Sequence, residues 1–244
     1  YSRYKRQIVL PEVGFNGQKA LLKSTIAVVG CGGIASSVIQ ILAAAGIGKL
    51  LLFDDDKIEL SNLNRQTIFN TMDVGRCKSL QAAAFAKRLN PNISVQGISE
   101  RINQSNFGSC VQDVDLIVDC TDRLMVKMFL NEASVEFNKS LIHTSAIGFL
   151  CEITTIQSGG RPCLNCLFED DFEKKVMCNT NCANAGILGP TCSFIGSLAA
   201  NEVIKILLNI ESNFIGKLLR VDLKLNKFQE YKFEYNPNCH ICSV

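Results

Sequence analysis

Between Thr25 and Ser145 short apolar runs alternate with segments of helical period, and this alternation limits the chain to few architectures. Residues 25–30, 49–54, 93–97, 115–120 and 140–145 read as strands, with helical patterns over 34–45, 76–89 and 124–137 among them. Strands alternating with helices make βαβ units, hence a Rossmann-like, mostly parallel sheet with helices on both faces. The stretch from Ser24 to Gly48 carries no charge and is long enough for a membrane span. Its glycines, its polar residues Ser36, Ser37 and Gln40, and its change of period midway fit a buried strand followed by a buried helix instead.

Beyond Ser145 the pattern changes. Residues 151–157 read as a strand of another kind, 158–190 as a polar loop, and 192–208 as a long helix. Strands at 217–223 and 227–233 are close enough for a hairpin. The expected α/β organisation is one lobe over residues 1–148 and a smaller lobe over 149–244, whose antiparallel strands extend the sheet. With 244 residues, 47% of them hydrophobic, the chain can bury such a core without disulfides. A net charge of +2 with no Lys/Arg run argues against nucleic acid as a partner.

The segment Gly30-Cys31-Gly32-Gly33-Ile34-Ala35 follows the first strand and opens the first helix. Gly30, Gly32 and Gly33 let backbone N–H groups approach a phosphate at the positive end of that helix. Ala35 stands at the last glycine position of a GxGxxG pattern. Asp54, at the end of the second strand, is placed to accept from a ribose hydroxyl. These features suit any nucleotide or dinucleotide binder.

The residues after Asp54 favour a triphosphate. Asp54-Asp55-Asp56 leads into Ser61-Asn62-Leu63-Asn64-Arg65-Gln66, and Lys78 heads the next helix. Charge moving onto a pyrophosphate leaving group needs fixed cations: Arg65 offers a planar fork and Lys78 a point charge. Hydride transfer has no such need. Val118-Asp119-Cys120-Thr121-Asp122 closes the fourth strand at the carboxyl edge, where α/β sheets bind ligands. Asp122 is placed to reach magnesium on the phosphates, and Asp119 to be buried with a structural role.

The twelve cysteines divide into kinds. Cys163-Leu164-Asn165-Cys166 and Cys239-His240-Ile241-Cys242 have zinc-ligand spacing, and four thiolates would leave no open position, so the site is structural. Cys182, in the polar loop, is a candidate nucleophile, with Cys178 a weaker resolving partner. Cys31, Cys192 and residues 125–129 read as packing, and His143 as a satisfied core histidine. Such cysteine usage suits a reducing compartment. A cytoplasmic location is expected, with a trimmed organelle-targeting segment left open because the chain starts at Tyr1.

Tyr4-Lys5-Arg6-Gln7-Ile8, the glycine loop, SNLNRQ at 61–66, the Lys78 helix, DCTD at 119–122 and the paired CxxC motifs together resemble the ThiF/MoeB adenylyltransferases of the ubiquitin-activating enzyme superfamily, nearer the ThiF branch. The resemblance implies that ATP adenylates the C-terminal glycine of a ubiquitin-like sulfur carrier ending in Gly-Gly. Pyrophosphate leaves, and sulfur transfer comes next, in thiamine (thiazole) biosynthesis. It implies Gly33 at a phosphate, Asp54 at the ribose, and Asn62, Arg65 and Lys78 at the phosphates. Asp56 belongs to the same nucleotide site, and Asp122 holds magnesium. It further implies a homodimer in which Arg6 enters the partner's ATP site, and a Cys182 that attacks or captures the activated carrier. Gly148 and Phe149 would line the carrier's tail channel. Arg123 replaces the family's asparagine after DCTD. No rhodanese-like segment follows Cys242, so the sulfur donor is expected on a separate chain. Competing readings are a molybdopterin-synthase carrier or a ubiquitin-like modifier as substrate. Outside the class stand an NAD-dependent oxidoreductase and a non-catalytic scaffold.

Overall fold

Eight strands form one sheet in the order β3-β2-β1-β4-β5-β6-β7-β8 in the computed structural model, which describes residues 1–168 and 186–243 apart from the side chains of residues 104, 105 and 109. The chain enters through two helices, α1 (Lys5–Ile8) and α2 (Gly14–Lys23). The first winding runs β1 (Thr25–Val29), α3 (Gly33–Ala45), β2 (Lys49–Phe53), α4 (Lys78–Leu89) and β3 (Ser94–Ile98). It continues through α5 (Gln104–Val111), β4 (Leu116–Asp119), α6 (Leu124–Glu136) and β5 (Ser140–Ile147). These five strands are parallel. TIAVV in β1, KLLLF in β2 and LIVD in β4 are continuous buried runs, as strands covered on both faces require.

The sheet then changes direction. Strands β6 (Leu150–Ile156), β7 (Lys217–Asp222) and β8 (Lys227–Lys232) are each antiparallel to their neighbours. Between β6 and β7 lie the short helix α7 (Leu164–Phe168) and the long helix α8 (Gly189–Leu207). Every residue of the edge strand β8 is exposed, and its lysines and glutamate discourage pairing with another chain. The core lies on both sides of the sheet. Val38, Ile39, Leu42, Ile195, Ala199 and Val203 belong to one side, Phe107, Leu130, Leu141 and Leu164 to the other.

The expected strands and long helices are present within a few residues, and the Ser24–Gly48 stretch divides into β1 and α3. Among the described residues no helix is long and apolar enough to cross a membrane. Three elements depart from the sequence pattern. Helix α5 contains serine, asparagine and glycine, which are poor helix formers, and is held by burial of Phe107 and Val111. Helix α7 interrupts the expected loop. Helix α8 begins at Gly189 rather than Cys192 because Pro190 sits in its first turn, where a missing N–H is no loss.

Asn90, fully buried at the end of α4, ties the amino-terminal segment down. Its Nδ2 donates to Tyr4 Oη and to the Ala43 carbonyl, both at 2.8 Å. Gln7 and Gln18 donate to the Ala45 carbonyl from the same side. Asn90→Ala should therefore destabilise the fold by about 2–3 kcal/mol, through two lost buried hydrogen bonds, to Tyr4 Oη and the Ala43 carbonyl, and a small cavity. Thermal denaturation should show a fall of about 5–10 °C in Tm.

Candidate active site

Strand order reverses between β1 and β4, and the crevice opens at the carboxyl ends of the strands there. Gly30 leaves β1 with φ of +84°, in the left-handed region. Its N–H donates to the Phe53 carbonyl at 2.8 Å, and a Cβ would meet the Cys120 carbonyl oxygen at 2.9 Å. Conformation and space both require glycine. Gly32 is the N-cap of α3, so the unpaired N–H groups of the first helical turn face the crevice with the helix dipole behind them. A Cβ on Gly33 would lie 2.7 Å from Cys192 Sγ and 3.3 Å from Arg65 Cγ. The glycine loop, the start of α8 and the stem of Arg65 therefore meet at one point.

Asp54 follows β2. Its Oδ2 accepts from the Cys31 N–H at 2.6 Å and its Oδ1 from the Asp56 N–H at 2.9 Å. Burial raises its carboxyl above the ordinary range, opposed by the Cys31 N–H and by Lys78. A carboxylate has about four acceptor sites, so the two bonds leave room for ribose hydroxyls. Lys78 is buried at the start of α4, with Nζ 2.9 Å from Asp56 Oδ2. One of its three ammonium donors is thus engaged by the other acidic residue expected at the site. Asn62 Oδ1 accepts from the Glu59 N–H at 3.1 Å, which leaves the Nδ2 end to donate to a phosphate. Arg65 Nη1 donates to the Ser61 carbonyl and to Asn64 Oδ1, at 3.1 and 3.0 Å, orienting the guanidinium from one side. Asp122 is exposed two residues beyond Cys120 and has no ion pair among the described residues. An open carboxylate beside the phosphate loop suits a hard cation such as magnesium.

Beneath Asp122, Asp119 is fully buried. Its Oδ2 accepts from Lys127 Nζ at 3.1 Å and lies 2.8 Å from His143 Nδ1. Burial alone would raise this carboxyl, but Lys127, His143 and Thr121 outweigh it and hold it well below the usual carboxylate range. Asp119 and His143 are thus core groups, as their sequence positions suggest. Lys127 is not legible in that way, because it sits in the apolar stretch 125–129. The available signal is a lysine amid Met125, Val126, Met128 and Phe129, eight residues after a strand-end aspartate. In the same stretch Met128 is buried, but Met125 is 65% exposed, so it does not pack: α6 turns that side to solvent.

The paired CxxC motifs converge at the start of α7. Cys163 Sγ lies 3.7 Å from Cys239 Sγ, and Cys166 Sγ lies 3.5 Å from Cys242 Sγ. All four sulfurs fall within 4.8 Å of one another. A disulfide needs about 2.05 Å. Tetrahedral zinc with bonds of about 2.3 Å puts its sulfurs about 3.8 Å apart, so the donor set and spacing fit zinc. Burial would raise the Cys239 thiol, but the backbone N–H groups of Cys242 and Ile241 outweigh it and bring it down to about 7. Cys163, where burial dominates, is pushed up to about 11. Cys239 is therefore the first of this pair to offer a thiolate.

The ThiF family model matches residues 4–241. The chain belongs to the ThiF family. The SAMP-activating enzyme E1 of Haloferax volcanii is 37% identical over 240 residues, which cover 98% of this chain and 88% of that protein. In Escherichia coli the sulfur carrier protein ThiS adenylyltransferase is 35% identical, over 99% of this chain and 95% of its own length. The molybdopterin-synthase adenylyltransferase of the same organism is also 35% identical, over 98% and 95%. By contrast the chain spans 53% of the adenylyltransferase and sulfurtransferase MOCS3 of Xenopus laevis. A crystal structure of E. coli MccB with ATP superposes with a TM-score of 0.86 at 26% identity, over 99% of this chain and 74% of that one. This ThiF-family chain is an adenylyltransferase, which removes the nicotinamide and scaffold readings.

One expected site residue, Arg6, is not brought to the crevice. Arg6 is exposed on α1, whose Gln7 contacts the carboxyl end of α3, whereas the glycine loop lies at its amino end. From Gly33 to Ala45, thirteen residues, the helix rises about 18 Å, beyond the reach of Arg6 within its own chain. Cys182 and Cys178 lie outside the described residues. For the cysteine cluster, elemental analysis of the purified chain should find about one zinc per protein. Chelation, or Cys163→Ser, should lower Tm by at least about 5 °C, because the metal joins segments distant in sequence.

Proposed function

We propose that the chain adenylates the C-terminal glycine of a ubiquitin-like sulfur carrier and then passes the carrier on to sulfur transfer in thiazole formation for thiamine. The observation that carries the reading is the meeting of the glycine loop with Asp54, Arg65 and the Cys120–Asp122 turn at the strand switch point, with Lys78 beside Asp56. That set combines a phosphate cradle, a ribose acceptor, two fixed cations and an open carboxylate.

In this reading residues 1–148 bind ATP and 149–244 receive the carrier. The carrier's terminal carboxylate attacks the α-phosphorus, an acyl–adenylate bond forms, and pyrophosphate leaves. Asp54 orients the ribose, while Asn62, Arg65 and Lys78 stabilise the charge that builds on the leaving group. Lys78 exchanges Asp56 for phosphate as its partner. Magnesium, when held by Asp122, neutralises phosphate charge. Arg6, remote from its own crevice, acts across a homodimer, as the resemblance to the ThiF/MoeB enzymes implies. Cys163, Cys166, Cys239 and Cys242 would hold zinc, which would tie the 239–242 segment to α7 without taking part in the chemistry. The Cys182 thiolate attacks the acyl–adenylate, a thioester forms and AMP leaves; a sulfide-level sulfur nucleophile supplied by another protein then displaces the cysteine and leaves the carrier thiocarboxylate. A molybdopterin-synthase carrier is the second reading, favoured by equal identity to that enzyme of E. coli.

ATP–pyrophosphate exchange with purified carriers ending in Gly-Gly tests the proposal. Exchange should depend on the carrier, and Arg65→Ala or Lys78→Ala should each reduce it by about 10²–10³-fold. No exchange with any such carrier, under conditions where ATP binds, would sink the reading. Cys182→Ala should leave exchange intact and abolish sulfur transfer; unchanged transfer removes the cysteine from the mechanism.

A further inference from the structure

Below the Thr121–Asp122 turn lies a buried group of charges that the proposed reaction does not use. Asp119 is fully buried at the end of β4, Lys127 on α6 is 7% exposed, and His143 on β5 is 2% exposed. Burying a lysine and a carboxylate is costly, and an apolar pair of similar volume commonly serves stability as well or better. Stability alone therefore does not account for them.

Their geometry does. Asp119 Oδ1 accepts from both the N–H and the Oγ1 of Thr121, at 3.0 and 2.7 Å, so the turn that carries Asp122 hangs from this carboxylate. The other oxygen is held by Lys127, which also donates to the Thr144 carbonyl at 2.7 Å. Thr144 Oγ1 closes the ring by donating to the Asp119 carbonyl at 2.6 Å. One ammonium thus locks the ends of β4 and β5 together directly under the phosphate loop. Without it, Oδ2 of the buried Asp119 would be held by His143 alone, and the carboxylate would be less firmly fixed. The acceptor from which Thr121 hangs would then be loosely oriented.

We infer that Lys127 and Asp119 are positioning residues that fix the Thr121–Asp122 turn and thereby set how tightly Asp122 holds the cation of the metal–nucleotide substrate. The inference rests on the assignment of Asp122 made in the proposed function. Groups that orient a metal ligand from behind commonly change metal affinity by about 10–100-fold.

The test uses the full chain and the variants Lys127→Met, Lys127→Arg and Thr121→Val, each checked for folding by thermal melting. Calorimetry measures ATP binding in excess chelator and across a magnesium series, and electron paramagnetic resonance measures Mn²⁺ bound in the presence of ATP. Lys127→Met and Thr121→Val should bind metal-free ATP within about twofold of the parent but need about tenfold more magnesium for half-maximal effect. Lys127→Arg, which keeps the charge, should return the midpoint to within about threefold. Thr121→Val removes a single hydroxyl and carries the test if Lys127→Met does not fold. An unshifted metal midpoint in either folded variant, with a metal-dependent parent, overturns the inference alone. A parent whose ATP binding ignores magnesium overturns the assignment of Asp122 and the inference with it. Pyrophosphate exchange by the parent, measured separately, reports on the proposed function itself.

Discussion

Gly30 leaves β1 so close to β4 that a single side-chain carbon would sit against the Cys120 carbonyl. That approach of two backbones sets the shape of the nucleotide end. It brings the loop before α3 and the turn after β4 to the same crevice, although 90 residues separate Gly30 from Cys120. The phosphate cradle comes from the first and the acidic turn from the second. Neither could be moved outward by an added Cβ without parting the amino end of α3 from the acidic turn.

Helix α8 fixes the third wall. Cys192 packs against Gly33, Thr191 Oγ1 donates to the Gly148 carbonyl at 3.0 Å, and the first residue of the helix abuts the Asn64 carbonyl. The helix therefore touches the glycine loop, the β5–β6 turn and the Arg65 segment within its first turn. Its remaining length lies on α3, β5 and β6, so the antiparallel half of the sheet is braced against the parallel half by one rigid element.

Much of this is legible in the sequence because it is local. The strand-helix alternation, the glycine loop and the acidic strand ends are patterns of neighbouring residues, and they place Asp54, Arg65, Lys78 and Asp122 on the right edge of the sheet. The CxxC pairs are legible because thiolate spacing is itself a signal. The hidden features depend on contacts between distant residues. The pairing of Lys78 with Asp56, the commitment of Asn62 to Glu59, and above all the partnership of Lys127 with Asp119 arise from packing, which periodicity does not encode. Helix α5 escapes the sequence pattern for the related reason that tertiary burial of Phe107 and Val111 overrides weak local propensity.

The anchoring of α8 also has a consequence for chain length. Gly189 is held against the backbone of Asn64, beside Arg65, and Cys182 precedes it by seven residues. Even fully extended, seven residues reach about 25 Å. Chain length alone therefore bounds the distance of Cys182 from the Arg65 segment, whatever path the intervening residues take. Were Cys182 the acceptor proposed above, its meeting with an acyl–adenylate in that crevice would be intramolecular and independent of how much enzyme is present.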